Sequence, residues 1–318
     1  MNYSTYTEIK KTRDAKVHQV FFNHSQLNTL HDETVKAVVN LAIKKTIDSY
    51  GPLPSPFTFF VMGSAGRFEQ SIWSDQDHGI IYNGHHDRVK SYFLLLGKEI
   101  SDGLYQIGYE YCDGGVMANN PLWCNSLSEW NEQLSCWIHE ASWKSIRNLL
   151  IFIDGRSLYG VSSYMNDLKN YVYHSVHTER LLSGIVSNTM SIKRGVGIFG
   201  QLLVETHGEY SEMLNIKDTA FFPYVNAAKC LAIKEKNLAT STISRLMNLE
   251  NPNRKSFTNY FIKLLDFRLS FSSHTNYKSG HYLPVNFITD ECKKEIKKII
   301  KNGILLNQYV QRVIESGD

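Results

Sequence analysis

The segment from Phe57 to Tyr82 places the strongest constraint on how this chain folds. It begins with an apolar run rich in aromatic residues, Phe57–Met62, which follows a proline-rich stretch. Such a run predicts a buried strand. The run ends in two closely spaced glycines, Gly63 and Gly66, which let the backbone turn sharply and approach a ligand closely. A second apolar run, Gly79–Tyr82, predicts a neighbouring strand.

Two carboxylates stand just before this second strand. Asp75 and Asp77 are two positions apart, so both side chains point to the same side of an extended backbone. Two such carboxylates repel each other unless a cation lies between them, and Mg²⁺ binds through one or two carboxylates together with substrate phosphates. Sites that transfer phosphoryl or nucleotidyl groups use this arrangement. We therefore predict a site for a metal-bound nucleoside triphosphate (NTP), with Asp75 and Asp77 as ligands of Mg²⁺ or alternatively Mn²⁺.

The glycine turn supplies the groups that bind phosphate. The backbone N–H groups of Gly63, Ser64 and Gly66 are candidate donors to phosphate oxygens. The Ser64 hydroxyl adds a further donor, and Arg67 adds a permanent positive charge. Each half of this pattern is common in unrelated proteins. The prediction depends on their combination between two strands.

Composition narrows the class of protein. With 318 residues, 42% hydrophobic and 20% charged, the chain is typical of a soluble globular protein long enough for two domains. Its net charge of +3 argues against a dedicated nucleic-acid binder. No apolar run reaches the ~18 to 20 residues that a membrane-spanning helix needs. Five scattered cysteines without a closely spaced pair predict reduced thiols in a cytoplasmic protein.

Hydrophobic periodicity divides the chain into three predicted segments. Residues 1–50 are predicted to be helical, with Asp32 as an N-cap and Gly51 as the stop. Residues 51–160 predict a small mixed sheet with helices on one face, including a third strand over 108–118. Residues 161–318 predict an all-α helical bundle, so the fold class is α+β. The helices predicted in the bundle span 164–174, 178–207, 219–236, 240–249, 254–272, 289–301 and 304–315.

Two further patterns have structural interpretations that we favour. Trp123, Trp130, Trp137 and Trp143 recur at intervals of six or seven residues around a helix predicted over 127–146. They predict an aromatic core stripe rather than a surface for stacking a ligand. His31 and Asp32 form the dyad of metal-dependent phosphohydrolases, but the further ligands of such a site are not evident. Helix capping explains Asp32 more simply.

The residues of the site carry a family resemblance. The pattern Gly63-Ser64-x-Gly66-Arg67-x-Glu69-Gln70, followed by Ser74-Asp75-Gln76-Asp77, resembles the nucleotidyltransferase signature of the DNA polymerase β superfamily. Within it, the chain is similar to the branch shared by PII-protein uridylyltransferases and the group called domain of unknown function 294 (DUF294). Blocks over residues 112–123 and 152–160 also resemble this branch. In the helical half, Lys217, Lys229 and Arg245 stand in blocks similar to its substrate-binding domain.

The resemblance implies a nucleotidyltransferase that moves a nucleoside monophosphate from an NTP to an acceptor and releases pyrophosphate. The expected acceptor is a protein, or second a small molecule. By position, Asp75 and Asp77 are the catalytic metal ligands and Gly63 and Ser64 form the phosphate-binding turn. Arg67 is expected to face phosphate, while Glu69 braces Arg67 or caps a turn.

The superfamily often places a third carboxylate on the next strand. Here the chain offers Asp113 and Glu110, and we take Asp113 as the third catalytic residue.

Lys217, Lys229 and Arg245 are candidate nucleotide contacts, the alternative being that they are solvated surface residues with packed stems. The uncertain third acid leaves a second class of function open, namely a catalytically weak nucleotide-sensing or partner-binding module. Nucleic-acid polymerisation is less favoured, because no basic and aromatic track is visible.

Overall fold

The chain divides into two units. A computed structural model describes residues 3–189 and 191–315. The first unit consists of residues 1–140 and 147–172, and the second of residues 141–146 and 173–318. None of the described helices combines the length and the apolar character that crossing a lipid bilayer requires.

The first unit begins with two helices, α1 (Tyr6–Val20) and α2 (His24–Tyr50). A capping box starts α1, because the Thr5 hydroxyl accepts from the Glu8 N–H and the Glu8 carboxylate accepts from the Thr5 N–H. Asn23 caps α2, and Gly51 ends it with a φ of +86°. The predicted stop at Gly51 is therefore confirmed. The predicted N-cap at Asp32 is wrong, because the Asn23 side chain starts the helix earlier.

A four-stranded mixed sheet forms the centre of the first unit. Its strands are β1 (Phe57–Val61), β2 (His78–Tyr82), β3 (Cys124–Ser126) and β4 (Arg156–Gly160), in the order β3-β2-β1-β4. β1 is antiparallel to β2 and β4, whereas β3 is parallel to β2. The two strands predicted around the glycine turn are thus the central pair.

The predicted third strand over residues 108–118 is wrong. That segment makes only an isolated bridge between Glu110 and Asp75, and β3 occupies the place beside β2. The chain turns at Gly115, whose φ is +65°, so the segment cannot continue as a ladder. β4 was not predicted, because its five residues are mostly half-buried and lack a clear apolar pattern.

Helices cover both faces of the sheet. The remaining helices of this part of the chain are α3 (Gly63–Gly66), α4 (Asp87–Gln106), α5 (Leu127–Glu140), α6 (Trp143–Ile153) and α7 (Ser162–Thr178), of which α6 and α7 continue from one unit into the other. On one face, Phe59 packs in a core with residues of α2 and α4. On the other face, Phe60 contacts Trp130 of α5 and Phe152 of α6. The expectation of helices on one face only is therefore wrong.

The second unit is mainly helical, as predicted. Its elements after α7 are α8 (Leu182–Thr189), β5 (Met213–Asn215), a π-helical turn (Lys217–Phe221), α9 (Phe222–Lys234), α10 (Thr242–Met247), α11 (Arg254–Phe271), short 3-10 turns at Lys278–His281 and Val285–Phe287, β6 (Tyr282–Pro284) between these turns, and α12 (Asp290–Glu315). Two predictions need correction here. β5 and β6 form a short antiparallel ribbon, so the bundle is not entirely α-helical. The helix predicted over 178–207 is interrupted after Thr178 and ends at Thr189, with Met190 outside the described residues.

The two last predicted helices are one continuous helix, α12. Gly303, which we expected to separate them, lies inside it. A Cβ at position 303 would come within 2.9 Å of the Tyr224 ring of α9. The glycine is therefore explained by close helix packing and not by a chain break.

The tryptophan stripe is confirmed for three of its four members. Trp123, Trp130 and Trp137 are buried and contact one another, and the Trp130 indole N–H donates to the Ile80 carbonyl at 3.0 Å. Trp143 is 66% exposed and does not belong to the core. The buried tryptophans therefore hold α5 against β2. Because Trp143 is exposed, its substitution serves as the control for that of Trp130.

We expect Trp130→Ala to lower the free energy of unfolding by about 3–5 kcal/mol, because it leaves a large cavity and removes a buried hydrogen bond to the Ile80 carbonyl. Trp143→Ala should change the same quantity by less than about 0.5 kcal/mol, because its ring is largely in solvent. Chemical denaturation followed by far-UV circular dichroism measures both. Equal effects of the two substitutions would contradict the assignment of Trp130 to the core.

Candidate active site

Asp75 and Asp77 lie on one side of an extended segment that leads into β2. The segment is fixed on one edge by Glu110, whose carbonyl accepts from the Gln76 N–H at 3.0 Å. On the other edge, the Asp77 carbonyl accepts from the Met62 N–H at 2.8 Å. Asp75 and Asp77 are half-buried, while Gln76 between them is buried on the opposite side. The two carboxylates thus share a face, as their spacing predicts.

The opposite side of this segment carries a closed hydrogen-bond network. The Nδ1 atom of His78 accepts from the Ala118 N–H at 3.1 Å, so the neutral ring carries its proton on Nε2 and donates to Gln76 Oε1. The Gln76 amide donates in turn to the Ser101 and Tyr109 carbonyls. Burial lowers the pKa of His78 to about 3, which keeps the ring neutral. This network fixes which residues face the site.

A cysteine completes the cluster. Among the described residues, the Asp75 and Asp77 carboxylate oxygens and Cys112 Sγ form the one group of three candidate metal ligands, all within 4.8 Å of one another. Burial, and then the neighbouring Asp77 carboxylate, raise the pKa of the Cys112 thiol to about 12. Sequence reasoning missed Cys112. No local motif marks it, because its place follows from the pairing of Asp75 with Glu110, two residues before Cys112.

The predicted third acids lie elsewhere. Asp113 and Glu110 are both exposed, and neither belongs to the three-residue cluster. The catalytic role of Asp113 stays a prediction. The third candidate ligand beside the paired aspartates is the Cys112 thiol.

The glycine turn packs directly against one aspartate. Gly63 has a φ of +53°, and a Cβ there would lie 2.0 Å from Asp77 Oδ2, so only glycine fits. A Cβ at Gly66 would lie 2.1 Å from the Asp154 carbonyl oxygen. The Gly66 N–H closes the turn by donating to Met62, so the N–H groups of Gly63 and Ser64 precede the first bond of α3.

Arg67 is held between two buried carboxylates. Its Nε donates to Glu69 at 2.7 Å and its Nη1 to Asp154 at 2.5 Å. Burial alone would lower the pKa of Arg67, but Glu69 and Asp154 raise it well above its usual value. Glu69 therefore braces Arg67, which was one of its two expected roles. The Arg67 side chain is only 13% exposed, and its contact with phosphate stays a prediction.

Arg156 of β4 forms a second brace. It makes a two-pronged ion pair with Asp32 of α2 at 2.7 and 2.8 Å, and its Nη2 also donates to the Ala65 carbonyl inside the glycine turn. Its guanidinium lies 3.7 Å from the ring centre of Phe68, which has a φ of +58°. Asp32 is thus neither an N-cap nor half of a phosphohydrolase dyad.

One face of α2 holds the loop between the turn and the aspartates. Asn28 accepts from the Gln70 N–H at 2.9 Å and donates to the Gln70 carbonyl at 3.3 Å. His31 Nε2 lies 2.8 Å from the Ser71 carbonyl, and its Nδ1 lies 2.5 Å from the Tyr109 hydroxyl. Residues 28, 31 and 32 share a helical face because they are three and four positions apart. The first fifty residues therefore help to build the site.

The basic residues predicted in the second unit have different environments. Lys217 is half-buried, and its ammonium lies 5.7 Å from the Tyr277 ring centre and 5.9 Å from that of Phe222. Lys229 and Arg245 are buried in the interior of that unit, and Arg245 Nε donates to the Ala239 carbonyl. They are therefore not the solvated surface residues of our alternative interpretation. Their role in binding stays a prediction.

Comparison with known proteins identifies two families along the chain. Residues 9–144 match the family described as "Putative nucleotidyltransferase DUF294". Residues 179–312 match the family described as "Putative nucleotidyltransferase substrate binding domain". No curated protein matches the chain significantly. The first match contains Gly63, both aspartates and Cys112, and the two matches confirm the resemblance seen in the sequence.

We expect Asp32→Asn to lower the free energy of unfolding by about 2–3 kcal/mol, because it leaves the Arg156 guanidinium with little compensation in a half-buried place. Glu33→Gln is the matched control, since this neighbouring carboxylate is 62% exposed and pairs loosely with Lys16 at 3.6 Å. Its effect should stay below about 0.5 kcal/mol. Denaturation curves of the two variants measure the difference, and similar midpoints would show that the Asp32–Arg156 brace contributes little.

Proposed function

Because the chain belongs to the DUF294 family of nucleotidyltransferases, we propose that it transfers a nucleoside monophosphate from an NTP to a protein acceptor. Pyrophosphate is the second product, and the reaction resembles that of PII-protein uridylyltransferases. One observation carries the proposal: Asp75 and Asp77 lie side by side, with the side-chain-free backbone of Gly63 against one of them.

The residues present fit a divalent metal ion. Carboxylate oxygens are the ligands that Mg²⁺ and Mn²⁺ take, and the Asp75 and Asp77 oxygens are close enough to share one cation. These two residues would hold the ion. When bound, such an ion supplies positive charge that stabilises the attacking and leaving oxygens of the reaction.

The other residues of the site bind and orient the triphosphate. Gly63 lets phosphate approach the backbone, and the N–H groups of Gly63 and Ser64 and the Ser64 hydroxyl are its donors. Arg67, held by its two carboxylates, keeps the turn in place. In the reaction, an acceptor oxygen bonds to the α-phosphorus while the bond from that phosphorus to the oxygen bridging to the β-phosphate breaks. The acceptor proton passes to a base, for which we propose Asp113.

The second unit is our candidate for acceptor recognition. It matches the substrate-binding family, and we propose Lys217, Lys229 and Arg245 as its basic contacts. A protein acceptor is favoured over a small molecule by the resemblance to PII-protein uridylyltransferases.

All five cysteines are free thiols, which supports a reducing compartment such as the cytoplasm.

A second candidate function is supported by the thiol in the cluster. Where the superfamily often has a third carboxylate, this chain places Cys112 beside the two aspartates. A site that lacks a well-placed base can bind metal and nucleotide without transferring the nucleoside monophosphate to an acceptor. The second candidate is therefore a nucleotide-sensing module on the same fold.

We expect purified protein to label an acceptor in cell extract when it is supplied with Mg²⁺ and one of the four α-³²P-labelled NTPs. The double variant Asp75→Asn/Asp77→Asn should lose about a thousandfold or more of this activity, because it removes several kcal/mol of charge stabilisation. Asp87→Asn is the matched control, since Asp87 is an exposed aspartate at the start of α4. The readout is radiolabelled protein after electrophoresis, with γ-labelled NTP as the control for phosphoryl transfer.

Labelling by the double variant at the wild-type rate would contradict the proposed function. NTP binding by the wild type with no transfer under any condition would select the nucleotide-sensing module instead. A label that comes only from γ-labelled NTP would indicate a kinase.

We expect Asp113→Asn to lower kcat about a hundredfold while the Kd for NTP stays the same, because a general base acts on the acceptor and not on the nucleotide. Glu110→Gln is the comparison, because Glu110 is the other exposed acid of the same segment. Transfer rates and calorimetric affinities of both variants give the answer. A loss confined to Glu110→Gln would move the base to that residue, and unchanged rates in both would exclude the two acids.

A further inference from the structure

We propose that Arg147 binds the phosphates that leave as pyrophosphate. This inference rests on the proposed function, because it places an NTP at Asp75 and Asp77. Arg147 lies on the part of α6 that belongs to the first unit, and its side chain is exposed. It lies outside both family matches and outside every motif recognised in the sequence.

The Arg147 guanidinium lies next to Gly114. A methyl group at Gly114 would lie 2.9 Å from Arg147 Nη2 and 3.6 Å from Cys112 Sγ. Gly114 does not have the left-handed φ that its neighbour Gly115 has, so its backbone conformation does not demand glycine. The missing side chain instead leaves room for the guanidinium. The guanidinium and the Cys112 thiol thus flank the same glycine, and the thiol is in the cluster with both aspartates.

The other two arginines of the site are already paired. Arg67 is held by Glu69 and Asp154, and Arg156 by Asp32. Within residues 3–189 and 191–315, Arg147 makes no ion pair with a carboxylate. It is therefore an exposed cation at the edge of the cluster whose charge is not compensated by the protein.

A triphosphate provides the missing partner. Its several negative charges exceed what a cation bound to two aspartates neutralises, and a guanidinium binds two phosphate oxygens at once. In the proposed reaction the α-phosphate lies next to Asp75 and Asp77, whereas the Arg147 guanidinium lies at the Gly114 side of the cluster, near Cys112. We therefore assign Arg147 to the β- and γ-phosphates, where negative charge increases as pyrophosphate leaves.

The test compares nucleotides that differ only in these phosphates. Calorimetry in Mg²⁺, without acceptor, gives the Kd of each NTP, of the matching nucleoside monophosphate and of inorganic pyrophosphate. We expect Arg147→Gln to weaken NTP and pyrophosphate binding by about tenfold or more, because it removes a charge-assisted contact. Monophosphate binding should change less than twofold, and Arg147→Lys should recover part of the loss. Lys144→Gln is the matched control, as it removes another exposed cation of α6.

A second variant tests the same geometry without removing the charge. Gly114→Ala places a methyl group 2.9 Å from Arg147 Nη2, which is too close, so the guanidinium should move away and NTP binding should weaken selectively. Thermal unfolding of each variant, compared with Lys144→Gln, tests that the protein remains folded.

The outcomes separate the two proposals. If the wild type binds NTP and Arg147→Gln binds it equally well, the role of Arg147 is refuted while the proposed function stands. Equal weakening of NTP and monophosphate would also refute the assignment to the leaving phosphates. If the wild type binds no NTP with Mg²⁺ or Mn²⁺, the proposed function fails and this inference fails with it.

Discussion

The site depends on two guanidinium groups that are held by carboxylates behind the glycine turn. Arg67 joins the turn to Asp154 just before β4, and Arg156 joins it to Asp32 of α2. Charged pairs with little solvent access are costly unless they are hydrogen-bonded. Arg67 donates to two carboxylates. Arg156 donates to both Asp32 oxygens and the Ala65 carbonyl, while its buried Nε has no hydrogen-bond partner among the described residues. The same segment contains Gly63 and Phe68, whose φ angles are both positive; this conformation costs glycine nothing but strains the phenylalanine. The turn is therefore braced on both sides, which would lower the entropy cost of the phosphate binding that we propose for it.

In the extended segment 74–78, successive side chains point alternately to the site and to the interior. Asp75 and Asp77 face the site, whereas Gln76 and His78 face the interior and satisfy each other and the surrounding carbonyls. A shift of register by one residue would bury both carboxylates and expose the neutral network. The buried histidine and glutamine thus specify where the two acids point, although neither touches the site.

The central strands, the glycine turn and the paired aspartates could be predicted from the sequence, because local signals define them. Apolar runs, two glycines and a two-residue spacing act over a few neighbouring positions. The braces could not be predicted, because Asp32 and Arg156 are far apart in sequence and ordinary in type. Cys112 was missed for a related reason, since its place follows from the pairing of Glu110 with Asp75 and not from a motif. The prediction of a helix break at Gly303 was wrong, because this glycine is explained by its packing against Tyr224 within one helix.

The contacts of Asn28 have a consequence for how the chain can be divided. Its amide pairs with both the N–H and the C=O of Gln70, so one side chain does what a neighbouring strand does in a ladder. A protein shortened to begin at Gly51 would retain the complete signature, yet the loop carrying the aspartates would lose this edge. A fragment of this chain can therefore contain the complete motif without an intact site. A fragment that keeps this edge of the loop begins upstream of Asn28, well before the first residue of the signature.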